Sequence, residues 1–325
     1  MIDPAHERRQ RLTGIALMCG ALACFACLDT MAKFLNGYMD TLQVVWARYT
    51  GAFVLAVAIS NPITRPGLMK TGRPMLQVGR SVLLLASTLL NFFALRYLQL
   101  DQALAIVFST PFFVAILSGP VLGEWVGWRR WTAIGVGFVG VLLVARPGFG
   151  GIHPAALISL AAAAFYAAYS ISTRMLSRTD SNETTLFYSN MVGAAAMLPV
   201  VPFVWTTPSD PVVILLMVVC GAFGTVGHYL LIIAHRLAPP AVLAPFIYTQ
   251  IVGAIVLGYL VFADVPNRWT LAGAAVVVAS GLYMLYPSKD GRGGVLRTAG
   301  KKPAWRVPLA SPLPRCTGAS CRALH

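Results

Sequence analysis

Ala21-Leu22-Ala23-Cys24-Phe25 returns as Ala161-Ala162-Ala163-Ala164-Phe165, about 140 residues further along the chain. The same offset pairs Ala94 and Arg96 with Ala234 and Arg236, Leu117 with Leu257, Glu124 with Asp264 and Pro147 with Pro287. Each copy holds five apolar stretches, at 12–35, 42–60, 76–95, 101–122 and 131–145, then 154–175, 184–205, 211–234, 240–263 and 268–286. About 20 helical residues cross a ~30 Å hydrocarbon core, so these stretches have the length of membrane spans. An odd number of spans per copy forces the second copy to cross the bilayer in the opposite sense. Inverted repeats around a midplane cavity are the architecture of many secondary transporters.

Composition excludes a soluble reading. Of 325 residues, 57% are hydrophobic and only 11% charged, against about 25% charged in an average soluble domain. The net charge of +14 reflects topology rather than nucleic acid. Basic residues sit in short loops and in the tail 287–325, as the positive-inside rule requires. With the N-terminus in the cytoplasm, 20 of the 25 Lys and Arg fall in cytoplasmic segments, Arg80 among them, and three outside. The expected order is a cytoplasmic N-terminus (1–11), a first repeat (12–147), a second repeat (153–286) and a basic, disordered cytoplasmic tail (287–325). The fold expected is an all-α polytopic membrane protein with ten transmembrane helices, in a bacterial inner membrane. The tail invites contact with anionic lipid, and a monomer and a homodimer are both open. Cys19, Cys24, Cys27 and Cys220 lie inside apolar spans and complete no metal-ligand pattern, so no metal or cofactor is expected.

Ionisable side chains are expensive in hydrocarbon, roughly 2.5–3.5 kcal/mol each on insertion scales, and normally face protein or a wet cavity. Few occur here. Asp29 and Lys33 are four apart on one helix face; a structural pair and a substrate or proton role for Asp29 are both open. Arg48 could hold a carboxylate or phosphate, or pair with Asp29. His228 could carry a coupled proton or make one interhelical hydrogen bond. Asn91, Ser109, Tyr166, Tyr169, Tyr248 and Gln250 also lie near mid-depth, and aromatic plus amide groups suit a flat, partly polar solute. Pro111 interrupts its span and is a hinge candidate. Glu124, beside Arg129 and Arg130, is a structural pair or gate candidate. Gly135, Gly137 and Gly140 form a small-residue pattern suited to close helix packing.

The ends of the two copies carry a family likeness. Thr110-Pro111-Phe112-Phe113 and Leu122-Gly123-Glu124 precede Trp131, Gly135, Gly137, Gly140 and Arg146-Pro147-Gly148. Phe262-Ala263-Asp264 precedes Trp269, Gly273 and Tyr286-Pro287. Together these resemble the EamA-type branch of the drug/metabolite transporter superfamily. Val44-Val45-Trp46-Ala47-Arg48-Tyr49, and Thr71-Gly72-Arg73-Pro74 followed by Arg80, are similar to its permeases for S-adenosylmethionine and riboflavin uptake. The resemblance implies two five-helix repeats and a central cavity lined by spans 1, 3, 4, 6, 8 and 9. That favours Asp29, Asn91, Ser109, Tyr166, Tyr169, His228, Tyr248 and Gln250 as lining residues. A proline expected near position 251 is replaced by Thr249-Gln250-Ile251.

The function expected is a secondary transporter moving a small-molecule metabolite by alternating access, with proton coupling open and export as the alternative to uptake. A membrane-embedded enzyme is the competing class. It would need a constellation such as H-E-x-x-H or G-x-S-x-G, and neither occurs. Nor does an ATP-binding P-loop. Reporter fusions after His6 and after Asp290 are expected to report the cytoplasm at both sites; opposite sides would overturn the ten-span topology.

Overall fold

The computed structural model describes residues 4–59, 66–98, 100–107, 109–145, 154–177, 179–263 and 268–285. The tail 287–325 and Asp264 lie outside them. Among the described residues every regular element is helical. The first half holds α1 (Pro4–Leu35), α2 (Thr41–Ile59), α3 (Pro74–Tyr97), α4 (Leu100–Val107), α5 (Thr110–Leu117) and α6 (Trp128–Ala145). The second repeats the series as α7 (Ala155–Leu176), α8 (Asn182–Met197), α9 (Pro211–Leu237), α10 (Pro240–Leu243), α11 (Gln250–Phe262) and α12 (Arg268–Leu285). Local chemistry starts these helices where they start. Pro74 and Pro211 sit in the first turns of α3 and α9, where a missing N–H loses nothing. Asp210 and Ser181 cap α9 and α8 by accepting from Val212 N and Thr184 N, at 2.8 and 3.1 Å.

Helices α1, α2, α3, α7 and α9 are long and apolar enough to cross a membrane. Two shorter apolar helices, α5 with its continuation and α11, follow breaks within the stretches 101–122 and 240–263; Pro111 marks the first in the sequence, and the second has no proline at the matching position. In the first half α4 stops at Val107 and α5 resumes at Thr110, just after Ser109. In the second, α10 passes into a 3-10 segment, Ala244–Thr249, and α11 resumes at Gln250. Ser109 and Thr249 are counterparts at the 140-residue offset. Pro111 therefore stands in the first turn of a new helix rather than in the middle of an old one. The second copy breaks at the same place without that proline.

The two halves interlock as inverted copies. Helix α1 packs on α9, and its counterpart α7 packs on α3. Counterparts α2 and α8 pack on one another, as do α6 and α12. The α2–α8 contact is antiparallel: Phe53 meets Phe187 with ring centroids 5.7 Å apart, and Tyr49 lies against Gly193 further along. Helices α6 and α12 also run antiparallel, with Ser280 Oγ donating to Ala133 O at 2.6 Å and Arg129 over the Tyr283 ring. Equivalent helices that oppose one another in direction require one half to be turned over relative to the other.

Burial is arranged for a lipid surround. Large apolar side chains such as Val54, Ile116, Leu157, Leu215, Val218 and Leu260 face outward. Arg80, Gln77, Gln43 and Ser159 are fully buried. Arg80 thus belongs to the interior of α3 and not to a cytoplasmic loop. Of the α6 glycines, Gly137 and Gly140 are buried while Gly135 is only partly so, and the tightest backbone approach falls elsewhere. A Cβ at Gly135 would meet nothing within 4 Å, whereas one at Gly221 on α9 would lie 2.7 Å from Ala52 N and Gly51 C of α2. Backbone cannot give way as a side chain can, so only glycine allows that approach. Gly221→Val is expected to lower the melting temperature in detergent through overpacking worth about 1–3 kcal/mol. Gly135→Ala is expected to leave it unchanged or slightly higher.

Candidate solute-binding cavity

Between α1, α3, α7, α9 and the two broken spans lies a cavity of about 80 Å³. Leu22, Phe25, Leu84 and Phe92 form its apolar wall. Its polar wall joins Asp29 (α1), Arg48 (α2), Asn91 (α3), Tyr166 (α7), His228 (α9) and Gln250 (α11). Thr110 and Gln250, the first residues of α5 and α11, both line it. The two helix restarts therefore present their N-terminal ends to one space.

Asp29 is held by amides from two other helices. Asn91 Nδ2 donates to Oδ1 at 3.1 Å and Gln250 Nε2 donates to Oδ2 at 2.9 Å. Lys33 lies with its ammonium 5.6 Å from the Phe262 ring centroid. Arg48 donates from Nη2 to His228 Nε2 at 2.8 Å, and its guanidinium carbon lies 4.4 Å from the Tyr49 ring centroid. A guanidinium only donates, so His228 Nε2 accepts and the ring proton is assigned to Nδ1. That proton points to Tyr169 OH, 3.0 Å away. A proton could be added to His228 only by breaking its bond with Arg48.

The chain of contacts continues away from the cavity. Tyr169 OH accepts from Arg80 Nη2 at 2.9 Å. Arg80 Nε donates to Thr173 Oγ1 at 2.8 Å, and Nη1 donates to Ser189 Oγ at 2.6 Å and Thr185 O at 3.2 Å. One side chain of the first repeat is thus held by α7 and α8 of the second. Charge-assisted bonds of this kind are roughly twice as strong as neutral ones. Beyond them, Gln77 Nε2 donates to Asp180 Oδ2 at 2.8 Å in the α7–α8 connection. Thr71 Oγ1 and Gly72 N also donate to Asp180, at 2.5 and 3.3 Å. At the same end of the bundle Arg174 bridges Glu124, at 3.4 Å, and the last carbonyls of α9, donating to His235 O at 2.7 Å. Glu124 therefore has a partner across the repeat boundary.

The remaining expected residues fall around this site. Tyr169 is fully buried behind His228. Ser109 precedes α5 and is absent from the lining, while its neighbour Thr110 is on the wall. The Tyr248 side chain lies outside the described residues. Sequence reasoning missed Ser87 and Thr88 on the cavity wall and Arg80 behind it. The signal for Arg80 was its place inside the apolar stretch 76–95, six residues after the proline that starts α3.

Comparison with known proteins follows this geometry. The EamA-like transporter family model matches residues 12–146 and again 153–286. The chain belongs to that family. The S-adenosylmethionine uptake transporter of Rickettsia felis is 28% identical over 86% of this chain and 94% of its own. The riboflavin transporter of Vibrio cholerae is 26% identical over 83% of this chain and 91% of its own. A pseudopaline exporter of Pseudomonas aeruginosa is 24% identical over 82% and 94%. A protein of known crystal structure superposes with a TM-score of 0.65 over 86% of this chain and 96% of its own, at 16% identity, and shares the fold. This EamA protein is a multi-pass membrane transporter of the drug/metabolite type and not an enzyme.

Asp180 gives a prediction outside the membrane. Partial burial alone would raise its carboxyl pKa; hydrogen bonds from Thr71, Gln77, Gly72 and Thr179 outweigh this and hold it below the usual value. A depressed carboxyl stabilises the fold fully above its unfolded pKa of about 4, and the contribution is lost as pH falls through the folded value. The melting temperature is expected to fall more steeply below about pH 4 in wild type than in Asp180→Asn. Parallel acid profiles would remove Asp180 as the source.

Proposed function

We propose that this protein is a secondary transporter of a bacterial inner membrane, with ten crossings and both termini in the cytoplasm. It takes up a small, partly polar metabolite by alternating access, the two repeats rocking about the cavity they share. The observation that carries this reading is the pair of matched helix breaks opening onto one cavity with buried Asp29 and Arg48. Broken helices near the midplane, at equivalent points of inverted repeats, are how many transporters expose backbone and charge to a solute without exposing them to lipid.

The contacts around Asp180, Arg80 and the Glu124–Arg174 pair then lie toward the cytoplasmic end. They close that side between repeats and part when the solute is released inward. Coupling to a proton falls to Asp29, whose protein partners are neutral amides. Uptake is favoured by the relatives named for uptake of S-adenosylmethionine. Export is the second reading, on the likeness to the pseudopaline exporter.

Purified protein in liposomes, tested for counterflow of S-adenosylmethionine, riboflavin and amino acids, is expected to show saturable exchange of at least one of them. Asp29→Asn is expected to lower net flux at least about tenfold and to flatten its pH dependence. Absence of exchange for every solute would overturn the transport reading. An unchanged pH profile in Asp29→Asn would remove Asp29 as the proton carrier.

A further inference from the structure

Two opposite charges line the cavity, and among the described residues neither has a counterion within 4.0 Å. Arg48 is 3% exposed and Asp29 6%. Both line the same space, yet no ion pair within 4.0 Å joins them among the described residues. The guanidinium uses Nη2 on His228, while Nε and Nη1 are buried without an acceptor. Asp29 has two amide donors, and one of them, Asn91, keeps its own Oδ1 buried without a donor. Tyr166 OH, on the same wall, also has no hydrogen-bond partner among the described residues. The residues that line the cavity thus hold unused donors at one place and acceptors at another, with Phe25 and Phe92 on the same lining.

We propose that the cavity recognises zwitterions: Arg48 takes the carboxylate of the solute, and Asp29 with Asn91 Oδ1 takes a cationic centre of the same molecule. This rests on the transport reading above and adds the substrate class. A solute of that kind supplies to each buried charge the partner that the fold withholds. Leaving a desolvated charge unpaired is costly, whereas pairing it with good geometry recovers much of that cost. A neutral solute satisfies neither charge, and a simple anion leaves Asp29 facing added negative charge. The Arg48–His228 bond keeps the guanidinium oriented, so little side-chain freedom is lost on binding.

The test uses the full chain in detergent, with affinities measured by calorimetry and by shift of the melting temperature. The probes are S-adenosylmethionine, its decarboxylated analogue, L-methionine, riboflavin and inorganic phosphate. S-adenosylmethionine is expected to bind at least about tenfold more tightly than the analogue that lacks the carboxylate. Arg48→Gln is expected to erase that difference, weakening S-adenosylmethionine and leaving the decarboxylated analogue within about twofold. Asp29→Asn is expected to weaken both. Arg48→Lys, which keeps the charge, serves as a second variant where Arg48→Gln does not fold, and it should retain part of the discrimination.

The proposal is overturned if Arg48→Gln weakens both analogues equally, if neither zwitterion shifts the wild-type melting temperature, or if riboflavin or phosphate binds in preference. Exchange of riboflavin in liposomes with no zwitterion binding would sink the zwitterion subsite while leaving the transporter intact. Exchange of no solute at all would sink the transport reading itself.

Discussion

A hydrocarbon surround offers no hydrogen bonds, and that constraint organises this molecule. Any charge or open backbone group inside the bundle must find its partners in other helices or in a shared wet space. Arg80 shows the consequence most fully. It is fully buried, and its donors are taken up by Tyr169, Thr173, Thr185 and Ser189, all in the opposite repeat. Asp29 likewise draws one amide from its own repeat and one from the other. The polar groups that make this interior expensive are the ones that bind the two halves into one body.

The same constraint explains where the helices stop. A break in a lipid-facing helix would strand several carbonyls and amides in hydrocarbon. Here both breaks, at Ser109 and Thr249, lie beside the cavity, and local turns recover part of the lost bonding: Thr110 Oγ1 donates to Val107 O at 2.5 Å and Thr249 Oγ1 to Phe246 O at 2.7 Å. The symmetry of the repeats then brings two restarted helices to one place. A site on that axis touches both halves at once, so relative motion of the halves alters the site. The geometry that makes the interior affordable is also the geometry a transporter uses.

Much of this was legible in the residues. The 140-residue echo, the ten apolar stretches and the odd count per copy required an inverted, all-helical pair before any coordinates. The rarity of charge in the spans drew notice to Asp29, Arg48 and His228, and the cavity joins all three with Asn91, Tyr166 and Gln250. Depth along a span was readable too, because helix rise is constant. Rotation about the helix axis was not. That is why Tyr169, one turn from Tyr166 by sequence, falls behind His228 instead of on the wall, and why Thr110 and not its neighbour Ser109 lines the space. Arg80 was misread because a positive charge near a span end reads as a loop anchor unless a buried set of hydroxyls is known to await it.

The sequence by itself determined the class of fold, the duplication and its inversion, because hydrophobic length and an odd span count admit few alternatives in a bilayer. Only the tertiary structure decided that two spans are broken at equivalent points, that Gly221 rather than Gly135 is the site of backbone contact, and that Arg48 reaches His228 while Asp29 takes two amides. Those outcomes depend on which faces meet across helices far apart in the chain. Apolar periodicity in a uniformly hydrophobic helix carries almost no information about that, since lipid and protein interior are equally apolar.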